Sequence, residues 1–263
     1  LLSGLNRPGE RHGTKYTYTA PGYRLKYKDM KDYRNETGRK LEILMEDKPT
    51  GLEVCSNIQF YDGISVIRSW TELKNNGEED LGVEYVSSFA LLGIDKEGLL
   101  STDEKLEVLI ARNAWQKELI WNRFSMDQLG MSISQPDKVR RSSQTISVGN
   151  TGNWSTKNYL PMGCLKNKET DSILFWQIEQ NGSWYWEISD QDGHMYLQLS
   201  GPTEHQSHWW KNLKPGDTFA SVPVSVGSAC GDVEEAAGEL TKYRRAIRRK
   251  NEDNEKLPVI FND

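Results

Sequence analysis

The sequence predicts a mainly β fold, a large antiparallel sandwich or barrel followed by one C-terminal helix. Three observations carry this prediction. Short runs rich in β-branched and aromatic residues recur along the chain, Gly-containing turn pairs separate them, and clear helical periodicity is confined to one segment after residue 231. Taken in order, residues 58–61, 64–73 and 81–92 read as strands, punctuated by Asp62-Gly63 and Asn76-Gly77, both tight-hairpin pairs. Between residues 95 and 159 the signal weakens, and longer connections mixed with short strands are expected. Residues 172–179, 183–189 and 194–200 repeat the strand pattern, with turns at Asn181-Gly182 and Asp192-Gly193. A further pair, 208–213 and 218–226, is joined by Lys214-Pro215-Gly216-Asp217.

The helix is predicted from Asp232. Val233, Ala236, Ala237, Leu240, Tyr243 and Ile247 recur at helical spacing, acids fill the first turn, and Arg244, Arg245, Arg248, Arg249 and Lys250 crowd the end. Acid first and base last complements the helix dipole, which accounts for the basic cluster more simply than a nucleic-acid contact does. Residues 251–256 read as a charged linker and 257–263 as a new apolar strand. The order is that of one domain finishing and another starting: a β domain over 1–230, a linking helix and polar linker over 231–256, and a first strand over 257–263. The first residues start in mid-loop, so neither end has the character of a natural terminus. A strand without its sheet is expected to be disordered or to borrow a partner edge.

Composition narrows the function classes. The 263 residues carry 33 Lys+Arg against 38 Asp+Glu, a net charge of −5, which leaves no basic footprint for nucleic acid or an anionic membrane. Mean hydropathy is −0.71, yet there are 9 Trp and 11 Tyr, so the chain is folded and rich in flat aromatic surface. No apolar stretch approaches the roughly 18 residues of a membrane span, and no signal peptide is visible. Three scattered cysteines, Cys55, Cys164 and Cys230, form neither a disulfide framework nor a zinc site and favour a reducing, cytoplasmic compartment. The N-x-[ST] sequons at Asn35, Asn153 and Asn181 then read as chance.

Few residues suggest chemistry. The polar segment Arg11-His12-Gly13-Thr14-Lys15 reads either as a solvated loop or as a donor of hydrogen bonds to a polyhydroxyl ligand or a neighbouring site. His205 and His208 lie three apart beside Glu204, but Pro202 and the following strand argue against a helix presenting both rings, and no third metal ligand is evident. Trp184 and Trp186 alternate on one strand and face one way, where Trp176 of the preceding strand joins them across a hairpin; such residues pack as core more often than they stack on sugar. Trp154 differs, because it sits in the polar loop Gly149-Asn150-Thr151-Gly152-Asn153-Trp154-Ser155-Thr156, where ligand contact and plain packing stay equally open. No GxSxG, phosphate loop, HExxH or EF-hand motif occurs, and no carboxylate pair stands out as an acid/base couple. The residues therefore do not describe a self-contained enzyme, and no cofactor or metal is expected.

An ordered set of segments is more specific than any single motif. Phe60-Tyr61-Asp62-Gly63-Ile64-Ser65-Val66-Ile67-Arg68-Ser69-Trp70, Lys74-Asn75-Asn76-Gly77-Glu78-Glu79 and Ala111-Arg112-Asn113-Ala114-Trp115-Gln116-Lys117-Glu118 come first. Phe175-Trp176-Gln177-Ile178-Glu179, Leu213-Lys214-Pro215-Gly216-Asp217, Tyr243-Arg244-Arg245 and Pro258-Val259-Ile260-Phe261-Asn262-Asp263 follow. Together they resemble the N-terminal part of bacterial alpha-galactosidases of the melibiase type, glycoside hydrolase family thirty-six. The resemblance implies a mutarotase-like β-supersandwich ahead of a (β/α)8 barrel that hydrolyses terminal alpha-galactosides such as melibiose and raffinose with retention. Retention uses two aspartates about 5–5.5 Å apart, inside the barrel; their motif matches nothing here, so no catalytic residue is carried over.

By the same resemblance Asn262 and Asp263 follow the first barrel strand, near the galactose pocket or merely capping the strand. His12, Lys15 and Trp154 are the loop residues nominated to reach an active site, since N-terminal-domain loops of tetrameric members approach a neighbour's. The implied partners are alpha-galactoside oligosaccharides, the barrel and further copies in a homo-oligomer; neither nucleic acid nor membrane is implied. The implied role is to scaffold the barrel and shape the substrate entrance and oligomer. Two other readings are a stand-alone carbohydrate-binding module using Trp154, Trp209 and Trp210, and a mutarotase-like isomerase, for which the four histidines form no matching arrangement.

Overall fold

The computed structural model describes residues 20–131, 144–191 and 194–259. The chain opens with a helical turn α1 (Ala20–Arg24) and a long hairpin, β1 (Lys26–Asn35) and β2 (Gly38–Asp47), then β3 (Leu52–Phe60) and β4 (Val66–Asn75). Short β5 (Leu81–Val83) and β6 (Ser87–Leu92) precede α2 (Thr102–Lys105) and a second hairpin, β7 (Leu106–Ala114) and β8 (Lys117–Ser125). β9 (Thr145–Asn150), β10 (Tyr159–Asn167), β11 (Ser172–Ile178), β12 (Trp184–Gln191) and β13 (His194–Ser200) follow. The one-turn α3 (Glu204–Ser207), β14 (Lys211–Leu213), β15 (Thr218–Ala220) and β16 (Val224–Cys230) lead to α4 (Val233–Ile247) and α5 (Glu252–Lys256).

Every described strand pairing is antiparallel. Ten described strands make one sheet in the order β1-β2-β3-β4-β16-β11-β10-β7-β8, with β15 beside β16 along the same edge of β4. A second sheet, β6-β13-β12-β9, packs on it, and β14 pairs β5 in a ribbon. The predicted supersandwich is thus the fold observed, and the predicted helix is α4. Period-two alternation gives the layers. On β11, Trp176 and Ile178 face the second sheet, where they meet Trp186, Ile188, Leu197 and Leu199; Ile173 and Phe175 point the other way, onto Ala236, Leu240 and Tyr243 of α4. A third cluster, with Val54, Leu73, Val86 and Leu213, fills the space between β3–β4 and the β5–β14 ribbon.

Several turn expectations change. Asp62-Gly63 does join an antiparallel pair, with Phe60 opposite Ile67; Gln191 lies opposite His194, while Asp192-Gly193 falls outside the described residues. Asn76-Gly77 and Lys214-Pro215-Gly216-Asp217 do not close hairpins. β5 pairs β14, whereas β15 pairs β4, so both turns carry the chain between sheets. Asn181-Gly182 likewise passes from β11 in the large sheet to β12 in the small one, and Trp176 meets Trp186 across the sandwich rather than across a hairpin. Their rings form an edge-to-face pair with centroids 5.1 Å apart, a geometry worth about 0.5–1.5 kcal/mol beyond area burial. The weak-signal stretch contains the β7–β8 hairpin, paired from Glu107–Ser125 to Ala114–Lys117 with a register shift between Arg112 and Ala114.

At the C-terminal end, Asp232 caps α4 through the Val233 N–H, and Glu235 returns a bond to the Asp232 N–H, a full capping box. The charged linker contains the single-turn α5, capped by Asn251. Leu257 is left-handed with φ 46°, and Leu257 and Val259 are exposed; residues 257–259 lie in no strand, and 260–263 fall outside the described residues.

Candidate functional site

Of the residues nominated from sequence, His12, Lys15, Asn262 and Asp263 lie outside the described residues. Trp154 is described and is 54% exposed, in the connection from β9 to β10. That connection is pinned on every side. Gly152, left-handed at φ 98°, donates its N–H to Ser183 Oγ at 2.9 Å. Thr151 Oγ1 donates to the Gln206 carbonyl at 3.1 Å. The buried Trp184 indole donates to the Ser155 carbonyl at 2.7 Å, and Asn113 Nδ2 donates to the Thr156 carbonyl at 2.7 Å. Trp184 and Ser183 belong to the β11–β12 crossing and small sheet, Asn113 to β7 of the large sheet. The loop therefore ties the two sheets together at one end of the sandwich, and Trp154 projects from a fixed base.

The same end carries two tryptophans besides. Trp115, at the tip of the β7–β8 hairpin, is 80% exposed, and Trp210, just beyond α3, is 66% exposed. Asn113 connects the first of these to Trp154, since its Oδ1 accepts the Leu119 N–H at 3.1 Å while its Nδ2 holds the Trp154 loop. Gln206 in α3 links the other by the Thr151 bond. Trp115 was not nominated from sequence as a site residue, although the argument used for Trp154, a large aromatic in a polar turn, applies to it. Trp209, by contrast, packs on Phe219 with centroids 5.4 Å apart and is partly buried. Trp176, Trp184 and Trp186 are fully buried core residues.

Between the hairpin tip and the loop lies a cleft of about 400 Å³ lined by Arg112, Asn113, Lys117, Ile120, Asn158 and Tyr159. The Arg112 guanidinium sits 5.3 Å over the Tyr159 ring, which fixes both side chains. Two cations and no carboxylate line this cleft, so the acid/base pair of a glycosidase is not built there. His205 lies within the one-turn α3, which Thr203 caps by accepting the Gln206 N–H at 3.1 Å and His208 closes at φ 52°; of the strand expected over 208–213, only Lys211–Leu213 forms. Among the described residues no cluster of three metal-ligating side chains occurs. The arrangement offers flat aromatic faces and hydrogen-bonding amides and cations, suited to stacking and docking.

At the opposite layer the base of α4 is a charged network. Glu179 accepts from Arg68 Nη2 at 2.6 Å and Nε at 3.0 Å, and from the Tyr243 hydroxyl. Burial, with the Glu179 carboxylate beside it, pushes the Tyr243 phenol far up, so it remains a donor. Tyr61 meets Tyr243 edge to face at 5.2 Å. These contacts fix the direction in which the chain leaves the sandwich.

The fold these elements define is a layered antiparallel β-supersandwich followed by a C-terminal helix. Solved structures with this fold are alpha-galactosidases of family GH36. An AgaA variant from Geobacillus stearothermophilus in complex with stachyose superimposes with a TM-score of 0.71 at 17% identity, over 88% of this chain and 32% of that one. AgaB from the same organism gives 0.69 at 17% identity over 86% and 31%, and the Lactobacillus brevis enzyme 0.67 at 14% over 84% and 29%. The chain thus spans about a third of their length. No family model and no curated protein matches the sequence. At these identities the likeness is one of fold.

Proposed function

We propose that this chain is the non-catalytic N-terminal domain of a retaining alpha-galactosidase. The observation that carries the reading is the match of nearly all of this chain to about a third of such enzymes. The order of segments quoted from the sequence agrees with it, as does α4 leaving the sandwich toward residues 257–263. In this reading 257–263 become the first strand of a (β/α)8 barrel, and Asn262 and Asp263 reach the rim where barrel active sites form. The domain scaffolds the barrel in a cytoplasmic homo-oligomer. Its Trp115–Trp154–Trp210 end faces the barrel, a neighbouring subunit or the substrate entrance, with His12 and Lys15 contributing from the N-terminal segment. The substrates are terminal alpha-galactosides such as raffinose.

The test is to follow the reading frame past Asp263 and assay the longer product on an aryl alpha-galactoside. The extended protein should turn over, and Trp154→Ala or Trp115→Ala in it should raise KM for raffinose or weaken oligomerisation by roughly tenfold, as loss of an aromatic contact does. An extended protein that encodes no barrel, or one unaffected by both substitutions, contradicts the respective parts. Three exposed tryptophans at one end also favour a second reading, a stand-alone carbohydrate-binding module. Raffinose binding by this chain that Trp154→Ala abolishes would support it.

A further inference from the structure

Among the described residues six arginines precede α4, and five of them are held by carboxylates: Arg24 by Asp47, Arg34 by Asp62, Arg39 by Asp32, Arg68 by Glu179, and Arg123 by Glu107 and Asp232. Arg112 differs. Its guanidinium sits 5.3 Å over the Tyr159 ring and has no carboxylate partner among the described residues. Contact with a ring face holds a guanidinium in place without using any of its five N–H donors. The chain has 38 acidic against 33 basic residues, so a shortage of carboxylates does not explain the gap.

Arg112 lines the exposed cleft of about 400 Å³ at the base of the β7–β8 hairpin, a volume in the range of small-molecule sites. Tyr159 on β10 and Ile120 on β8 stand opposite Arg112 on the two neighbouring strands, so three paired strands fix its base. Lys117 brings a second cation to the cleft, also without an ion pair among the described residues. Ala114 and Ile120 add apolar surface, and Asn158 adds an amide. Glu118 is the one carboxylate in 112–120; it accepts the Gln116 N–H at 3.0 Å and does not line the cleft. Residues 154–160, which include the facing wall, contain no acid. A guanidinium fork and an ammonium in a concave site without a counter-charge match an oxyanion.

We infer that this cleft binds a small molecule bearing an oxyanion, a carboxylate or a phosphate, on a body of monosaccharide size. The Arg112 fork takes two of its oxygens, Lys117 adds charge, and Ala114 and Ile120 cover an apolar side of the body. The cleft is complete in the 263-residue chain, so the inference does not rest on the proposed barrel.

The experiment titrates the full 263-residue chain in about 0.1 M salt, which screens unspecific attraction to surface charge. The probes are glucose 6-phosphate, galacturonate and inorganic phosphate, with galactose as the neutral control. Calorimetry follows binding, and NMR follows the Arg112 Nε–H. At least one sugar anion should bind saturably at roughly millimolar Kd or tighter and shift that resonance, while galactose leaves it in place. Tighter binding of glucose 6-phosphate makes the oxyanion a phosphate ester, and tighter binding of galacturonate makes it a carboxylate; either supports the inference. Arg112 is exposed, so its replacement leaves the core intact. Arg112→Gln should weaken binding about tenfold or more, and Arg112→Lys, which keeps the charge and loses the fork, about threefold or more. Lys250→Gln, which removes a charge outside the cleft, should leave binding unchanged. Absence of saturable binding of both sugar anions overturns the inference. So does wild-type affinity in Arg112→Gln, an equal loss in Lys250→Gln, or inorganic phosphate bound as tightly as both sugar anions.

Discussion

Asp47 ends β2 with its side chain fully buried, and accepts from Arg24 Nε at 3.1 Å, Arg24 Nη2 at 2.8 Å and Thr50 Oγ1 at 2.7 Å. The Arg24 guanidinium holds its carboxyl below the usual carboxylate range, against the opposing pull of burial. A carboxylate whose folded pKa is lowered contributes stability above its unfolded value near pH 4, lost as pH falls through the folded value. Asp47→Asn should therefore destabilise the chain by about 1–3 kcal/mol at pH 7 and flatten its acid-unfolding profile below about pH 4; an unchanged profile would contradict this. Thiol chemistry separates the cysteines at the same scale. Burial pushes the Cys164 thiol up to about 12, whereas Cys230 is exposed. A maleimide at pH 7.5 should label Cys230 in the native chain and reach Cys164 only on unfolding, as a peptide map would show. Of the candidate site, Trp154 was legible in the sequence because a large aromatic stood among Gly, Asn and Ser. Trp115, in Asn113-Ala114-Trp115-Gln116-Lys117, offered the same local signal, and only its place at a hairpin tip depended on the register that β7 and β8 establish together.

Elements were legible where one face is buried and the other is not. α4 showed its cap, its apolar stripe and its charge gradient, and the tryptophan strands showed their alternation. β1 was invisible because all ten of its residues are exposed, so Lys26–Asn35 carries no burial pattern, and its pairing with β2 rests on ladder bonds and surface ion pairs such as Lys28–Glu46. Asn181-Gly182 was misread because local turn chemistry fixes a bend, not which sheet receives the next strand. Two substitutions test the element-level account. Asp232→Ala removes the α4 cap and the bridge to Arg123 at 2.6 Å, and should cost about 1–2 kcal/mol in denaturant unfolding. A Cβ at Gly163 would stand 2.5 Å from Trp176 Cζ2, so Gly163→Val should destabilise the sandwich by about 1–3 kcal/mol through overpacking. A neutral result for Gly163→Val would mean that Trp176 has room the structure does not show.

On the scale of the whole molecule, two sheets and one helix form three layers, and both the tryptophan end and the α4 exit are rigidly tied to that stack. The sandwich class was legible because strand runs and turn pairs are local signals. The partition of strands between the sheets was not, because it is decided by contacts far apart in sequence, such as Trp176 with Trp186. The central claim is that this stack supports a catalytic barrel and carries no glycosidase couple of its own. The most direct measurement is release of nitrophenol from nitrophenyl alpha-galactoside by the purified 263-residue chain at neutral pH. The account predicts no release above the buffer rate, while the same chain continued into its barrel turns over. Sustained, enzyme-proportional release by the 263-residue chain alone would contradict it.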